Sequence, residues 1–290
     1  MKKLAGIILI VVGSMLLLAT VPSLFQGTSK QAVVTNEVAE EIEGVNALLL
    51  SSTAVDWEVE RYEGSDVIAV LYDSSGKRDL SLKRKGRALD VQVKEQKGFN
   101  LFAFTFTSKS SSVKLQIPYH FKGSVELSTV SGDVVFYDDM DADLLYVNTV
   151  SGDVAGKNLN VTDLQLNSTS GDLLVEEVQS EKTKFHTVSG DVRITSLLGK
   201  LEGKTTSGDV IISYTDENRT ANLKTISGYI LVSIPNGNAN ISLKSTSGDL
   251  LVNLPLTEQT VQSREIFGKI GEGEFPVNMS TVSGDIILEE

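Results

Sequence analysis

A tripeptide recurs through the second half of the chain at nearly constant spacing, and that period limits the fold more than any other feature. Ser-Gly-Asp occurs at Ser131-Gly132, Ser151-Gly152, Ser170-Gly171, Ser189-Gly190, Ser207-Gly208, Ser247-Gly248 and Ser283-Gly284, each pair followed by aspartate. An eighth copy, Ser227-Gly228-Tyr229, keeps the first two residues and loses the acid. Successive serines lie 20, 19, 19, 18, 20 and 20 residues apart, followed by one gap of 36. Phe267-Gly268-Lys269-Ile270, 20 residues after Ser247, reads as a decayed copy inside that gap. A fixed period of this length marks a repeat architecture.

Alignment on the serine gives the local structure. Four residues before it stand Leu127, Val147, Leu166, Phe185, Leu223, Leu243 and Met279, with Gly203 as the exception. Six before are mostly apolar again, with Thr183 as the outlier, and polar residues such as Glu126, Gln165 and Glu202 fall between. That is the period-2 alternation of a half-buried strand. Three residues after the serine come Val134, Val154, Leu173, Val192, Val210, Ile230, Leu250 and Ile286. Each repeat is therefore a strand, a Ser-Gly corner, a second strand and a looser turn. Stacked hairpins and solenoid rungs both fit two strands per repeat. Recurrence of equivalent residues in every copy favours the solenoid, because each inward side chain must stack on its like. The expected fold is all-β, a single-stranded β-helix-like solenoid of about 20-residue repeats over residues 121–290. Glycine suits a tight corner with positive φ. The small residues two before the serine, from Thr129 and Thr149 to Thr281, should form an inward hydroxyl ladder. Leu288-Glu289-Glu290 should guard the last, open edge with charge.

The start of the chain has a different character. After Met1-Lys2-Lys3, residues 4–25 run without a charge. About 20 apolar residues suffice to cross a bilayer as a helix. The run exceeds the usual apolar core of a cleaved signal, about 7–15 residues, and Ala19-Thr20-Val21 is a poor cleavage triplet. Residues 1–25 are expected to be a single-pass transmembrane anchor through the lipid bilayer of the cell membrane. Lys2 and Lys3 should hold the N-terminus in the cytoplasm, leaving the remainder extracytoplasmic. Residues 26–44, with Glu37, Glu40, Glu41 and Glu43, read as an acidic linker, and residues 45–120 as a β-rich first part of the outer domain. Strands are expected around Trp57, Val67–Tyr72, Leu89–Val93 and Val113–Ile117. The basic cluster between Lys77 and Arg87 reads as a solvated hairpin tip, with contact to anionic lipid or teichoic acid as the alternative.

Composition excludes several functions. A net charge of −12 leaves no basic footprint for nucleic acid. The absence of cysteine removes disulfides and thiolate metal sites. His120 and His186 are too few for an ordinary histidine zinc site. No phosphate-binding loop or nucleophile elbow occurs, and no cofactor is expected. The aspartates Asp133, Asp153, Asp172, Asp191 and Asp209 occupy equivalent positions and are the only metal candidates. Calcium would relieve their mutual repulsion, and a calcium-stabilised adhesin is the alternative reading. The plainer expectation is that Asp and Ser hydrogen-bond backbone groups at each corner. A polysaccharide-cleaving solenoid would need acids in one local, asymmetric group, whereas these recur identically. The catalytic set is expected to be empty.

The Thr-x-Ser-Gly-Asp-Val repeats, the Ile117-Pro118 lead-in and Ile270-Gly271-Glu272-Gly273 before Ser283-Gly284-Asp285-Ile286 resemble a bacterial family of adhesin-like β-strand-repeat proteins over residues 45–290. With its apolar N-terminus the whole chain resembles the membrane-anchored kind encoded in cell-envelope-stress operons of Gram-positive bacilli. The resemblance implies a membrane location, a β-helix-like fold, and a scaffold or binding role connected with cell-wall antibiotics. Its implied partners are a cell-wall polymer or envelope-stress membrane proteins. It supplies no catalytic residue.

Overall fold

The computed structural model describes residues 34–95 and 111–290, all in strands, turns and connecting segments. The expected membrane-spanning segment, residues 1–25, lies outside the described residues, as do residues 26–33 of the expected linker. Among the described residues no helix is long and apolar enough to cross a membrane.

Strands before and after each corner form two columns with parallel pairing. Before the corner, Ser124–Ser128 pairs with Met140–Asn148, which pairs with the later part of Val154–Ser168. The later parts of Leu173–Ser189 and Val192–Ser207 follow, then Ala221–Lys224. After the corner the register runs Val134, Val154, Leu173, Val192, Val210, Ile230, one residue stacked on its equivalent at every step. Parallel pairing in register makes each repeat one rung of a solenoid, because an antiparallel hairpin could not hold it. The inward positions form one continuous apolar core.

The two exceptions in the repeat pattern have physical reasons. Gly203 pairs with Phe185, and a side chain at Gly203 would begin 2.0 Å from the Phe185 ring, which fills that layer. Thr183 is buried, and its hydroxyl lies 2.8 Å from that of Ser180.

The C-terminal order differs from the sequence order. Phe275–Ser283 lies between Ala221–Lys224 and Ala239–Ser247, and Ile286–Glu289 between Ile230–Ser233 and Leu250–Val252. The last repeat in sequence is thus inserted as the penultimate rung. Leu288-Glu289-Glu290 does not guard an edge, since Leu288 is buried with a paired strand on each side. Phe267-Gly268-Lys269-Ile270 is not a rung either. Glu265–Ile270 runs antiparallel to Ala239–Ser247 and forms a hairpin with Thr257–Gln262 that extends beyond it. Spacing alone does not say which copies touch, and the gap of 36 residues is long enough to carry the chain out and back.

The N-terminal part joins the same stack. Ala47–Ser51 pairs with Ser124–Ser128, and Asp56–Tyr62 with Val134–Phe136. On its other side this rung meets Ala88–Glu95 and Ser111–Pro118, both parallel to it. Antiparallel strands finish that end: Arg78–Lys85 on one column, then Asp66–Asp73 and Val34–Glu41 on the other. Residues 34–41, expected as linker, are therefore a strand. Their charge suits a terminal strand, and pairing with Asp66–Asp73 supplies the order that composition alone does not suggest. Trp57 is fully buried and donates its indole N–H to Ser52 Oγ at 2.9 Å. Arg61 is buried, and its guanidinium bonds the carbonyls of Tyr119, Phe121 and Asp141 at 2.8, 3.1 and 3.0 Å. This clamp ties the N-terminal part to the first repeats.

Candidate functional site: the corner ridge

The corners of all rungs lie in one line, so the repeated residues form a ridge along the stack. Asp133 Oδ1 accepts the N–H of Asp153 at 2.9 Å, and Asp153 Oδ1 accepts that of Asp172 at 2.9 Å. Asp172 does the same for Asp191 at 2.8 Å, Asp191 for Asp209 at 2.8 Å, and Asp209 for Tyr229 at 3.0 Å. Tyr229 carries no carboxylate and ends the run. Asp285 resumes it by accepting the N–H of Asp249 at 2.8 Å. The ladder also starts one rung earlier than the repeats suggest, because Asp56 Oδ1 accepts the N–H of Asp133 at 3.0 Å. Asp56 lies in Val55-Asp56-Trp57, with no glycine before it, so the tripeptide search misses it.

Burial pushes the carboxyls of Asp153, Asp191 and Asp209 above their ordinary range. The bonded N–H of the next rung opposes that rise, and neighbouring ladder carboxylates add to it. Asp56 is raised for the same leading reason. From Asp56 to Asp209 each ladder carboxylate has an oxygen committed to the neighbouring backbone. Among the described residues no group of three or more His, Cys, Asp or Glu side chains is arranged to hold a metal ion.

The glycines fit because rungs approach closely. A Cβ on Gly152 would lie 1.9 Å from the carbonyl oxygen of Gly132, and one on Gly171 1.9 Å from that of Gly152. Positive φ, expected at every corner, is confined to Gly208, Gly228 and Gly284, at 155°, 140° and 147°. These three all lie where the hydrogen bonding has changed. In the first three copies the corner glycine N–H donates to the hydroxyl of Thr129, Thr149 or Ser168, at 3.3, 2.9 and 2.7 Å. At Gly190, Gly208, Gly228 and Gly284 it donates instead to the serine carbonyl of the neighbouring rung, as Gly208 does to Ser227 at 3.1 Å. The hydroxyls of Thr187, Thr205 and Thr225 are then left without partners among the described residues. The inward ladder is present, but only its first part bonds as a turn would. The change sets in at the step from Ser189 to Ser207, which at 18 residues is the shortest.

The serines themselves face outward. All eight, from Ser131 to Ser283, are exposed, and Ser131 alone among them bonds back, to the Thr53 carbonyl at 3.4 Å. The residue before each serine is also exposed and β-branched. Val130, Val150, Ile226 and Val282 keep 45%, 41%, 53% and 50% of their surface open, and Thr169, Thr206 and Thr246 share the position. The ridge is thus a file of methyl and hydroxyl groups, one pair per rung, repeating at the inter-strand distance of about 4.8 Å. The sequence carries this signal as the x of Thr-x-Ser-Gly-Asp, a position that core reasoning passes over.

Other polar groups are also tied up. On another turn, buried Asn218 accepts the N–H of Asn238 at 2.8 Å, and Asn238 accepts that of Glu274 at 2.9 Å. A groove of about 470 Å³ is lined by Lys122, Asp141, Asp143, Asn160 and Glu181 among others. There Lys122 and Asn160 both bond Asp141, each at 2.7 Å, and the Lys122 bond holds the Asp141 carboxyl below its usual range. A carboxylate so fixed is a poor proton donor. His120 and His186 are both exposed and far apart in the chain.

A parallel β-solenoid whose repeated polar residues build its corners defines a structural repeat protein. The chain belongs to the family described as Toastrack DUF4097, whose model matches residues 45–289. A search of curated proteins finds no match. A crystal structure of a "putative adhesin" from Bacteroides fragilis NCTC 9343 is similar at a TM-score of 0.50 and 12% identity, covering 90% of this chain and 98% of that one. One from Parabacteroides distasonis ATCC 8503, also called a "putative adhesin", has a TM-score of 0.48 and 12% identity, covering 90% and 98%. At such identities the likeness concerns the fold alone.

Proposed function

We propose that this chain is a membrane-anchored, extracytoplasmic scaffold of the bacterial envelope that binds a linear cell-wall polymer along its corner ridge and performs no catalysis. One observation carries the reading. The acids of the repeat are spent on the next rung's backbone, while Val130, Val150, Ile226 and Val282 stand open beside exposed serines. A file of small β-branched residues beside serines suits a ligand that repeats along its own length, and it offers no single place where bonds would be broken. The name given to the Bacteroides fragilis neighbour supports a binding role. The uncharged run at residues 4–25 supports the anchor. The resemblance in the repeats supports a part in the response to envelope stress and wall-active antibiotics, with wall polymer or membrane proteins of that response as partners.

The test is photo-crosslinking from position 150 in the full chain, in native membranes, with and without a wall-active antibiotic. The reading expects wall polymer attached to position 150 and none attached to a crosslinker at Asp163, which lies off the ridge. Equal yields from both positions, or no adduct from either, would reject it.

A further inference from the structure

Arg78–Lys85 and Val34–Glu41 are the terminal strands of the two columns at the same end of the stack. They carry opposite charge. Val34–Glu41 holds Glu37, Glu40 and Glu41, whereas the other strand and its turn hold Lys83, Arg84, Lys85 and Arg87, four cations within five residues of a chain whose net charge is −12. Lys85 is bound to the carboxylate of Asp90 at 2.5 Å. Lys83, Arg84 and Arg87 are exposed and make no ion pair among the described residues. The hairpin is also held rigid. Strands Arg78–Lys85 and Ala88–Glu95 pair from Arg78↔Glu95 to Lys85↔Ala88, closed by Gly86 with φ of 64°. Asn46 N–H donates to the Arg87 carbonyl at 2.9 Å, and Arg84 donates to the Glu43 carbonyl.

The chain enters the fold at this end, at Val34, with only eight residues between it and Phe25. Eight residues span at most about 28 Å when fully extended. If residues 4–25 are the anchor, as proposed above, this end of the stack is confined to the neighbourhood of the bilayer surface. We infer that the hairpin tip at Lys83, Arg84 and Arg87 docks on anionic lipid headgroups. The acidic strand lies beside it, with Asn36 donating to the Leu80 carbonyl at 3.1 Å, so the charge split across this end sets the tilt of the stack over the membrane.

The chain has no cysteine, so one introduced cysteine reports one place. The experiment places a fluorophore at Ala88→Cys or Ser263→Cys in the full chain, reconstituted in nanodiscs with headgroup-spin-labelled lipid. Ser263 lies in the turn of the hairpin at the opposite end of the stack. Quenching at position 88 is expected in phosphatidylglycerol discs, with loss in phosphatidylcholine discs, in high salt, and in the triple variant K83E/R84E/R87E. No quenching is expected at position 263. For full chain added to preformed phosphatidylglycerol vesicles, affinity should fall about fivefold for each basic side chain neutralised. An unchanged melting temperature in the triple variant excludes misfolding. Equal quenching at both positions, indifference to lipid charge, or a response to soluble polyphosphate but not to phosphatidylglycerol would overturn the inference. Release of the chain from phosphatidylcholine discs by high salt would defeat the anchor reading instead, and the preformed vesicles would still read the hairpin.

Discussion

Asp153 Oδ1 accepts the backbone N–H of Asp172 at 2.9 Å, and the same bond recurs on each ladder step from Asp56 to Asp209. An asparagine keeps the accepting oxygen and removes the charge. Because burial raises the carboxyls of Asp153, Asp191 and Asp209, the native state binds protons more tightly than the unfolded chain. Stability from these groups is therefore greatest below the ordinary carboxylate pKa, about 3.9, and is lost as pH rises through the raised values. The variant D153N/D191N/D209N should melt at or above the parent temperature at pH 7, with that advantage shrinking towards pH 3. Millimolar calcium should leave both melting curves unmoved. A large loss of stability at pH 7, or a calcium-dependent rise in the parent alone, would restore a charge-specific role for the ladder.

Asp73 has the opposite sign. Burial alone would raise its carboxyl, but bonds from the hydroxyls of Ser75 and Ser111 and the N–H groups of Ser75 and Lys77 outweigh it and hold it far below the usual range. Its stabilisation is present above about pH 4 and disappears as acid protonates it. Asp73→Asn should cost about 2 kcal/mol at pH 7, the penalty of weakening buried charge-assisted bonds, and should flatten the acid limb of the stability profile. Urea melts at pH 7 and pH 3 measure both effects.

Corner glycines should be intolerant for a reason unrelated to turn propensity. A methyl at Gly171 would meet the Gly152 carbonyl oxygen at 1.9 Å, so Gly171→Ala should cost about 3 kcal/mol through displaced backbone. Gly76 has φ of 64° and open space around it, so Gly76→Ala should cost only the strain of the left-handed conformation, about 1 kcal/mol. Denaturant unfolding should rank them in that order.

The inserted C-terminal rung makes a covalent prediction. Lys224 pairs with Ser280, and Ser280 pairs with Lys244, so Lys224 and Lys244 are separated by a whole rung. Lys224→Cys with Ser280→Cys should form a disulfide on mild oxidation. Lys224→Cys with Lys244→Cys should not, since two rungs exceed the bridging limit of about 7 Å between Cα atoms. Mass spectrometry of the digested, non-reduced chain distinguishes them, and the reverse outcome would put the rungs back in sequence order.

What the sequence made legible divides along these lines. Leu127, Val147 and Leu166 alternate with polar neighbours and recur at a fixed step, and that suffices for strands, corners and a stacked core. Neighbour choice is a property of space. Nothing in Ser283-Gly284-Asp285 distinguishes a final rung from an inserted one, because every rung presents the same face. The strand Glu265–Ile270 shares the period-2 pattern of a rung, so its antiparallel direction is invisible to alignment. Asp56 carries no repeat signature because the close approach that demands glycine at Gly132 comes from the carbonyl of Val55, leaving the earlier rung free to lack one. Arg61 looked like any strand arginine, since the carbonyls it binds lie about 60 to 80 residues away. The exposure of Val130 and Val150 is not legible in the sequence, because a β-branched residue in a β-rich repeat is expected to be core.

The most direct test of the ridge as a binding face compares two full-chain variants on purified cell-wall sacculi. V130K/V150K/V188K alters only exposed positions of the ridge, whereas D153N/D191N/D209N alters only its hydrogen-bonded frame. With both variants melting close to the parent, the first should lose wall binding at least tenfold and the second should retain it. Loss of binding in the aspartate variant with full retention in the valine variant would contradict the account.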